Sequence, residues 1–155
     1  MENIKFNNQA KMILRDQITS ILQGTSLKWI LLSSDSEVIK ALKNLENIQN
    51  EKNIDFIILN LTNSLSHVTV TQIVNKSVEL QVGILGIIDE DYLRSSEIHE
   101  NISEYILNPV QNAELKFRIS RIVSASRNTA DRNIIKIDEL TINTANYEVI
   151  VSGEK

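Results

Sequence analysis

Asn60 stands where a parallel-sheet protein places its reacting or binding groups. Residues 53–61 read Asn-Ile-Asp-Phe-Ile-Ile-Leu-Asn-Leu, and the apolar run within them predicts a strand buried on both faces. In the parallel sheets built from such strands, ligands and chemistry lie at the carboxyl ends of the strands. An amide can hydrogen-bond there, but it is a poor nucleophile and a weak metal ligand. The position therefore favours binding over covalent chemistry, unless Asn60 is only a polar cap at a strand end.

The other polar candidates point to no catalytic or metal site. His67 and His99 have no partners at ligand spacing, so we predict isolated surface histidines. Residues 89–91 are Asp-Glu-Asp after an apolar run, which is more typical of a charged helix start than of a cation site. Gly83 and Gly86 form no phosphate-cradling loop. We expect no bound metal, no cofactor and no enzymatic activity.

The elements around Asn60 alternate between strand and helix. Apolar runs predict strands, and apolar residues at intervals of three and four predict helices. The predicted strands are 2–6, 27–32, 54–61, 82–88 and 105–107, and the predicted helices are 10–22, 38–45, 68–80, 89–102 and 112–124. This alternation implies a five-stranded parallel sheet with right-handed crossovers.

The pattern changes after residue 125. Residues 126–133 are polar and predict a linker, and three short strands follow at 134–137, 140–142 and 147–151 with a hairpin turn at 143–146. We therefore divide the chain into a domain at 1–125, a linker at 126–133 and a β segment at 134–155.

Composition narrows the class of protein. The chain has 155 residues, no cysteine and a net charge of −4, so it has no disulfide framework and no overall charge suited to nucleic acid. Its apolar runs are far shorter than the about 20 residues that cross a bilayer, and we expect no secretory signal because no basic stretch followed by an apolar core stands near residue 1. We expect a cytoplasmic protein without a membrane partner.

Four stretches, in this order, carry a resemblance to a known family: residues 33–42, 54–61, 104–110 and 140–155. Their order and spacing resemble a response regulator of the OmpR/PhoB type, with a receiver domain, a linker and the first strands of a winged-helix domain. The resemblance implies a flavodoxin-like five-stranded parallel sheet followed by a β-hairpin or three-strand stub. It also implies a cis peptide bond before Pro109.

The phosphorylation site of a receiver is missing in this sequence. A receiver uses a carboxylate nucleophile, carboxylates that hold Mg²⁺, a hydroxyl and a lysine. The resemblance places Asn60 at the nucleophile, Asn7 and Asn8 at the acid pair, Gly86 or its neighbour Ile87 at the hydroxyl, and Asn108 at the lysine. We therefore expect a pseudo-receiver that is not activated by phosphate.

A second register remains open. Residues 31–35 can instead form the first strand and its acidic corner, which keeps Asp35 and leaves residues 1–26 as an extra helix. We prefer the five-unit register because it uses the whole chain. Both registers keep Asn60 and Asn108.

The resemblance also implies a homodimer. In the family, the fourth helix, fifth strand and fifth helix form a two-fold surface with paired charges, and the matching positions here are Arg94, Glu104, Glu114 and Arg118, with Tyr105 at an aromatic switch position. Reciprocal Arg–carboxylate pairs suit a two-fold interface.

Two hypotheses for function follow. The first is a phosphorylation-independent regulatory and dimerisation domain of a transcriptional regulator, which touches DNA only through a fuller C-terminal domain. The second is a protein-interaction or ligand-sensing module without DNA binding. The sequence offers no candidate nucleophile, base or cofactor loop for a third reading, a doubly wound enzyme.

Overall fold

The protein has an α/β fold with a parallel sheet and a separate antiparallel sheet. A computed structural model describes residues 2–46, 54–62, 65–95, 98–132, 134–137, 140–143 and 148–151. The helices are α1 (Glu2–Ile21), α2 (Asp35–Glu46), α3 (His67–Leu80), α4 (Glu90–Arg94) and α5 (Asn112–Arg132). The strands are β1 (Trp29–Leu32), β2 (Phe56–Asn60), β3 (Gly83–Ile88), β4 (Glu104–Leu107), β5 (Ile134–Ile137), β6 (Leu140–Asn143) and β7 (Glu148–Val151).

The parallel sheet has four strands in the order β1-β2-β3-β4. Its register aligns Leu59 with Gly86 and Asn60 with Ile87. All five residues of β2 are buried, as its apolar run predicts for a strand covered on both faces. Because the strands are parallel, their carboxyl ends meet at one edge of the sheet.

Residues 2–21 form a helix, so the predicted strand at 2–6 is wrong and the sheet has four strands rather than five. The apolar residues Phe6, Ala10, Leu14, Ile18 and Leu22 recur every four positions, and no glycine or proline interrupts residues 2–23. Extending an existing helix is easier than starting one, so the terminal turns join α1. The second register, with an extra N-terminal helix and β1 as the first strand, is the one that the structure has.

Helices cover both faces of the sheet. On one face, Ile18 of α1 and Leu22, which directly follows this helix, pack with Leu115, Ile119 and Ile122 of α5 against the sheet. On the other face, helices α2 and α3 contribute the buried side chains Val38, Ala41, Val70, Ile73 and Val74. The two core layers follow the alternation of the central strand, with Phe56 and Ile58 on the first face and Ile57 and Leu59 on the second.

Two helices differ in length from their predictions. The helix predicted at 89–102 is α4, which ends at Arg94. The residues predicted as a linker at 126–133 continue helix α5 to Arg132, because this stretch has no glycine or proline to stop it. The position of a domain boundary stays a prediction.

The C-terminal strands form an antiparallel sheet in the order β5-β6-β7. The hairpin turn was predicted at 143–146, and its residues 144–146 lie outside the described residues. Within the described ranges, no helix is both long enough and apolar enough to cross a membrane.

Candidate functional site

Four polar residues mark the carboxyl ends of the parallel strands. Asn60 ends β2, and Ser33, Asp89 and Asn108 directly follow β1, β3 and β4. Asn60 is buried, with 6% of its surface exposed, whereas Asn108 is exposed. The structure therefore places Asn60 at the mouth of the parallel sheet, where the sequence predicts it.

The Asn60 side chain folds back on its own chain. Its Oδ1 accepts a hydrogen bond of 2.6 Å from the Thr62 hydroxyl, and the Thr62 backbone N–H lies 3.3 Å from the same oxygen. Asparagine commonly stabilises turns by bonding the backbone two residues further on. The amide oxygen thus shapes the exit from β2.

The nearby carboxylate of Asp35 joins two helices. Its Oδ1 accepts hydrogen bonds from the Ser66 N–H at 2.9 Å and the Thr69 hydroxyl at 2.6 Å. The hydroxyl hydrogen bond is the largest cause that lowers the pKa of Asp35, followed by the backbone hydrogen bond from Ser66. Asp35 therefore holds the start of α2 against the start of α3 as an anion.

The other carboxylates at this edge also bond backbone or lysine groups. Asp89 caps α4 by accepting a 2.8 Å hydrogen bond from Tyr92 N–H. Glu37 accepts a 2.7 Å bond from Ser33 N–H and forms an ion pair with Lys11 of α1. Among the described residues, no group of three histidine, aspartate or glutamate side chains is arranged to hold a metal ion.

The structure does not bring the predicted acid pair to the site. Asn7 and Asn8 lie inside helix α1 rather than after a strand, so their assignment to the acid pair is wrong. The cause is the helical continuation of residues 2–9, which removes the strand that would carry them. Asn108 follows β4, its N–H donates to Ile88 O at 2.7 Å, and the Asn108–Pro109 peptide bond is cis, as the resemblance implies.

Tyr105 packs beside Gly86, the residue that the resemblance places at the hydroxyl position of a receiver. Gly86 pairs in register with Tyr105, and a Cβ built on Gly86 would lie 3.1 Å from Tyr105 Cδ1 and 3.2 Å from Leu61 Cδ1. Ile87, the neighbouring candidate for the hydroxyl position, is buried in the core. The ring of Tyr105 therefore packs into the space that a side chain at residue 86 would enter.

Tyr105 hydrogen-bonds the backbone of His99, one of two histidines that the sequence predicts as isolated. The Tyr105 hydroxyl donates to His99 O at 3.1 Å and accepts from His99 N–H at 2.9 Å, while burial raises the pKa of Tyr105. The rings of His67 and His99 stack with 5.3 Å between centroids. The prediction of isolated histidines is wrong, because 32 residues of sequence separation hide a contact that folding makes.

A charged cluster lies on β4 and α5. Arg118 Nη1 donates to Glu104 at 2.8 Å, and its Nη2 lies 3.5 Å from Glu114. Arg121 adds a 2.9 Å ion pair with Glu104, which the sequence interpretation missed although Arg121 is one helical turn from Arg118. Arg94 is not part of this cluster and pairs with Glu90 within α4.

Exposed apolar side chains lie on these two elements and on α4. They are Leu93 on α4, Leu107 on β4 and Phe117 on α5, exposed by 51%, 42% and 57%. We call the charged and apolar side chains on these three elements the α4–β4–α5 face. Protein–protein interfaces commonly combine an apolar centre with a polar rim.

No family model and no curated protein matches this chain. Among solved structures, it is similar to a response regulator receiver domain protein from Clostridium thermocellum, with 18% identity and a TM-score of 0.45 over 66% of this chain and 99% of that chain. It is also similar to a protein from a family of streptococcal redox sensors evolved from two-component response regulators, with 21% identity and a TM-score of 0.45. That match covers 80% of this chain and 65% of the other.

A third similar structure is the response regulator DrrB of Thermotoga maritima, an OmpR/PhoB homologue, with 10% identity and a TM-score of 0.34. The match covers 81% of this chain and 64% of DrrB. This chain therefore spans less than two thirds of the streptococcal protein and of DrrB.

Proposed function

We propose that this chain is a receiver-type regulatory domain that works without accepting a phosphoryl group. The observation that carries the proposal is the buried Asn60 amide at the carboxyl end of β2, with its oxygen held by Thr62. Phosphoryl transfer to a receiver requires a carboxylate at this position and a bound Mg²⁺. The chain has an amide instead.

The remaining polar groups at this edge support the same proposal. Asp35 and Asp89 accept hydrogen bonds that cap or join helices, and Gly86 contributes no hydroxyl. Asn108 carries no charge to stabilise a phosphoryl group. A regulatory role therefore depends on shape and association.

Phosphorylation tests this directly. The full chain is incubated with acetyl phosphate and Mg²⁺ beside an active receiver domain as the positive control, and both are measured by intact-protein mass spectrometry. We expect an acid-labile adduct on the control and none on this chain. Phosphorylation of this chain under those conditions would refute the proposal.

We propose further that the domain forms a homodimer through the α4–β4–α5 face. In a two-fold dimer each contact occurs twice, so the Glu104, Arg118 and Arg121 cluster would recur on both sides. Exposed ion pairs contribute only about 0.2–1 kcal/mol each, so they select the register of association. Most of the affinity is expected from apolar side chains such as Phe117.

Sedimentation equilibrium of two matched variants tests the dimer. Phe117 and Val68 are 57% and 64% exposed, but Val68 lies on α3, outside the proposed face. We expect Phe117→Glu to raise the dimer dissociation constant by roughly tenfold or more, because it places a charge in the apolar part of the contact. Val68→Glu should leave it unchanged. A chain that stays monomeric at high concentration, or equal effects of the two variants, would contradict the proposal.

The second candidate is an interaction module that does not contact DNA. It is favoured by the net charge of −4, which provides no overall electrostatic attraction for nucleic acid. The second candidate predicts that this chain does not shift a DNA duplex in a gel at physiological salt. Sequence-specific binding would exclude the second candidate.

A further inference from the structure

Among the strands that the structure describes, none pairs with the outer edge of β1. In the sheet order, β1 pairs with β2 on one side only. An edge strand presents a row of backbone donors and acceptors that can pair with another extended chain. In this sheet β1 and β4 are the two opposite edges, so the edge of β1 is separate from the α4–β4–α5 face of the proposed dimer.

The hydrogen bonds of neighbouring residues identify the outward-facing groups. Lys28 faces β2, because its O accepts from Asp55 N–H at 2.7 Å and its N–H donates to the Asp55 carboxylate at 2.7 Å. Backbone groups alternate in direction along a strand, so those of Trp29 and Leu31 face outward. Among the described residues, these outward N–H and C=O groups have no hydrogen-bond partner.

The next outward-facing group shows how this chain satisfies such a donor. Ser33 N–H also points away from β2, and the Glu37 carboxylate of α2 accepts from it at 2.7 Å. Glu37 is held in turn by Lys11 of α1. An acidic side chain therefore closes the carboxyl end of this edge. The outward backbone N–H and C=O groups of Trp29 and Leu31 remain able to bond an added strand.

A cavity of about 460 Å³ lies along this edge. Helix α1 borders it on one face of the sheet with Arg15 and Thr19, and helix α2 borders it on the other with Lys40 and Asn44. The volume is within the about 300–1,000 Å³ range of ligand-binding sites. We call this cavity the β1 slot. Because helices border both of its faces, it suits a single extended segment.

The lining of the β1 slot combines an apolar floor with two cations and the Glu37 carboxylate, which is paired with Lys11. Ile30, Leu45 and Ile54 lie on its floor, whereas Arg15 and Lys40 are exposed side chains on opposite helices. No ion pair joins either cation to another described residue. This arrangement is complementary to a segment with apolar side chains at its centre and acidic side chains toward the rims.

We propose that the β1 slot binds an acidic, extended peptide segment of a partner protein, which adds to the parallel sheet as a strand beside β1. In strand addition, backbone hydrogen bonds provide affinity and side-chain pockets provide specificity. The backbone groups of Trp29 and Leu31 would form the hydrogen bonds that provide affinity. Specificity would come from Arg15, Lys40 and the apolar floor.

A second copy of this chain fits the same edge less well. Two β1 strands that pair antiparallel in one continuous sheet are related by a two-fold axis perpendicular to that sheet, so α1 faces α1 and α2 faces α2. Arg15 then approaches Arg15 of the other copy, and Lys40 approaches Lys40. Like charges placed opposite each other oppose pairing, whereas an acidic strand without flanking helices meets both cations favourably.

Binding of a synthetic peptide to the full chain tests this proposal. The probe is a capped ten-residue peptide with two glutamates at each end and valine, isoleucine and threonine between them. Its controls replace the glutamates with lysines or two central residues with prolines. We expect fluorescence anisotropy to show binding of the acidic probe and at least roughly tenfold weaker binding of both controls, because one loses charge complementarity and the other loses strand hydrogen bonds.

Charge reversal in the protein provides the matched comparison. Arg15→Glu combined with Lys40→Glu is expected to weaken the acidic probe by roughly tenfold or more and to favour the lysine peptide. Lys43→Glu combined with Lys116→Glu changes the net charge equally outside the β1 slot and should leave the order of the two peptides unchanged.

Hydrogen exchange locates the bound peptide. The amides of Trp29 and Leu31 should exchange more slowly with the acidic probe and should be unaffected by the proline peptide. Failure of the acidic probe to bind, or binding without protection of these amides, would overturn the proposal. Concentration-dependent protection of the same amides without peptide would overturn it in favour of self-pairing.

Discussion

At the level of single side chains, the polar groups beside the strand ends build turns and helix starts. Asn60 bonds Thr62, Asp89 bonds the N–H of Tyr92, and Asp35 bonds Ser66 and Thr69. Each oxygen accepts from a nearby donor at a distance of 2.6–2.9 Å. This edge of the sheet is therefore a hydrogen-bonded rim whose carboxylates are already engaged.

Thr69→Ala should raise the pKa of Asp35 toward its usual value of 3.8, because the Thr69 hydroxyl is the largest cause that lowers it. A lowered carboxyl pKa stabilises the folded state above the unfolded-state value, and this stabilisation is lost as the pH falls through the folded-state pKa. The wild type should thus exceed the variant in stability by more at neutral pH than below pH 3.8.

NMR titration of the Asp35 carboxyl carbon measures the change in its pKa. Urea unfolding at neutral pH and below pH 3.8 measures the change in stability. Thr71→Ala is the control, because Thr71 lies on the same helix and its hydroxyl donates to His67 O instead. An unchanged Asp35 titration in Thr69→Ala would contradict the assigned cause.

At the level of elements, helix α3 shows how local chemistry sets the ends of a helix. Ser66 is its N-cap and accepts from Thr69 N–H at 3.3 Å. At its other end, Gln81 adopts a left-handed conformation with φ of 56°. Helix ends commonly use this conformation, but usually with glycine, since a side chain there is strained. The sequence carries no glycine at residue 81 to signal the stop.

Gln81→Gly should stabilise the protein by about 0.5–1 kcal/mol, because glycine adopts positive φ without steric cost. The same substitution at Gln72, an exposed residue inside α3, should destabilise it by about 1 kcal/mol. Urea unfolding of both variants shows whether each substitution raises or lowers the free energy of unfolding. Destabilisation by Gln81→Gly would show that the residue 81 conformation is not a source of strain.

At the level of the whole molecule, α1 belongs to the core of the α/β fold. Gln17 Nε2 donates to Val110 O at 2.8 Å and to Asn112 Oδ1 at 2.7 Å, which fixes α1 beside the start of α5. Ile18 and Leu22 are buried in the layer between these helices and the sheet. This helix therefore covers a face of the sheet that would otherwise expose apolar side chains to water.

Ile18→Ala should lower the free energy of unfolding by about 2–5 kcal/mol, because Ile18 is fully buried and its truncation leaves a cavity. Ile13 on the same helix is 62% exposed, so Ile13→Ala should change stability by no more than about 0.5 kcal/mol. Chemical denaturation of the two variants gives the comparison. Equal small effects would mean that α1 does not pack on the sheet.

Several elements of the fold were predictable because burial leaves a local pattern in the sequence. The apolar runs at β2 and β3 predict strands that are covered on both faces, and the spacing of Val70, Ile73 and Val74 predicts α3. Asn60 was predictable as the end of β2 for the same reason, since the apolar run stops there. Such patterns depend on neighbouring residues alone.

The number of strands, the stacked histidines and the β1 slot depended on packing between distant parts of the chain. Residues 2–6 carry an alternation that fits a strand, but their continuity with α1 and the docking of that helix against α5 make them helical. His67 meets His99, and Arg15 borders the same cavity as Lys40, although neither pair is close in sequence. Local periodicity indicates which faces are buried, whereas the neighbours on each face are chosen by the joint packing of all the elements.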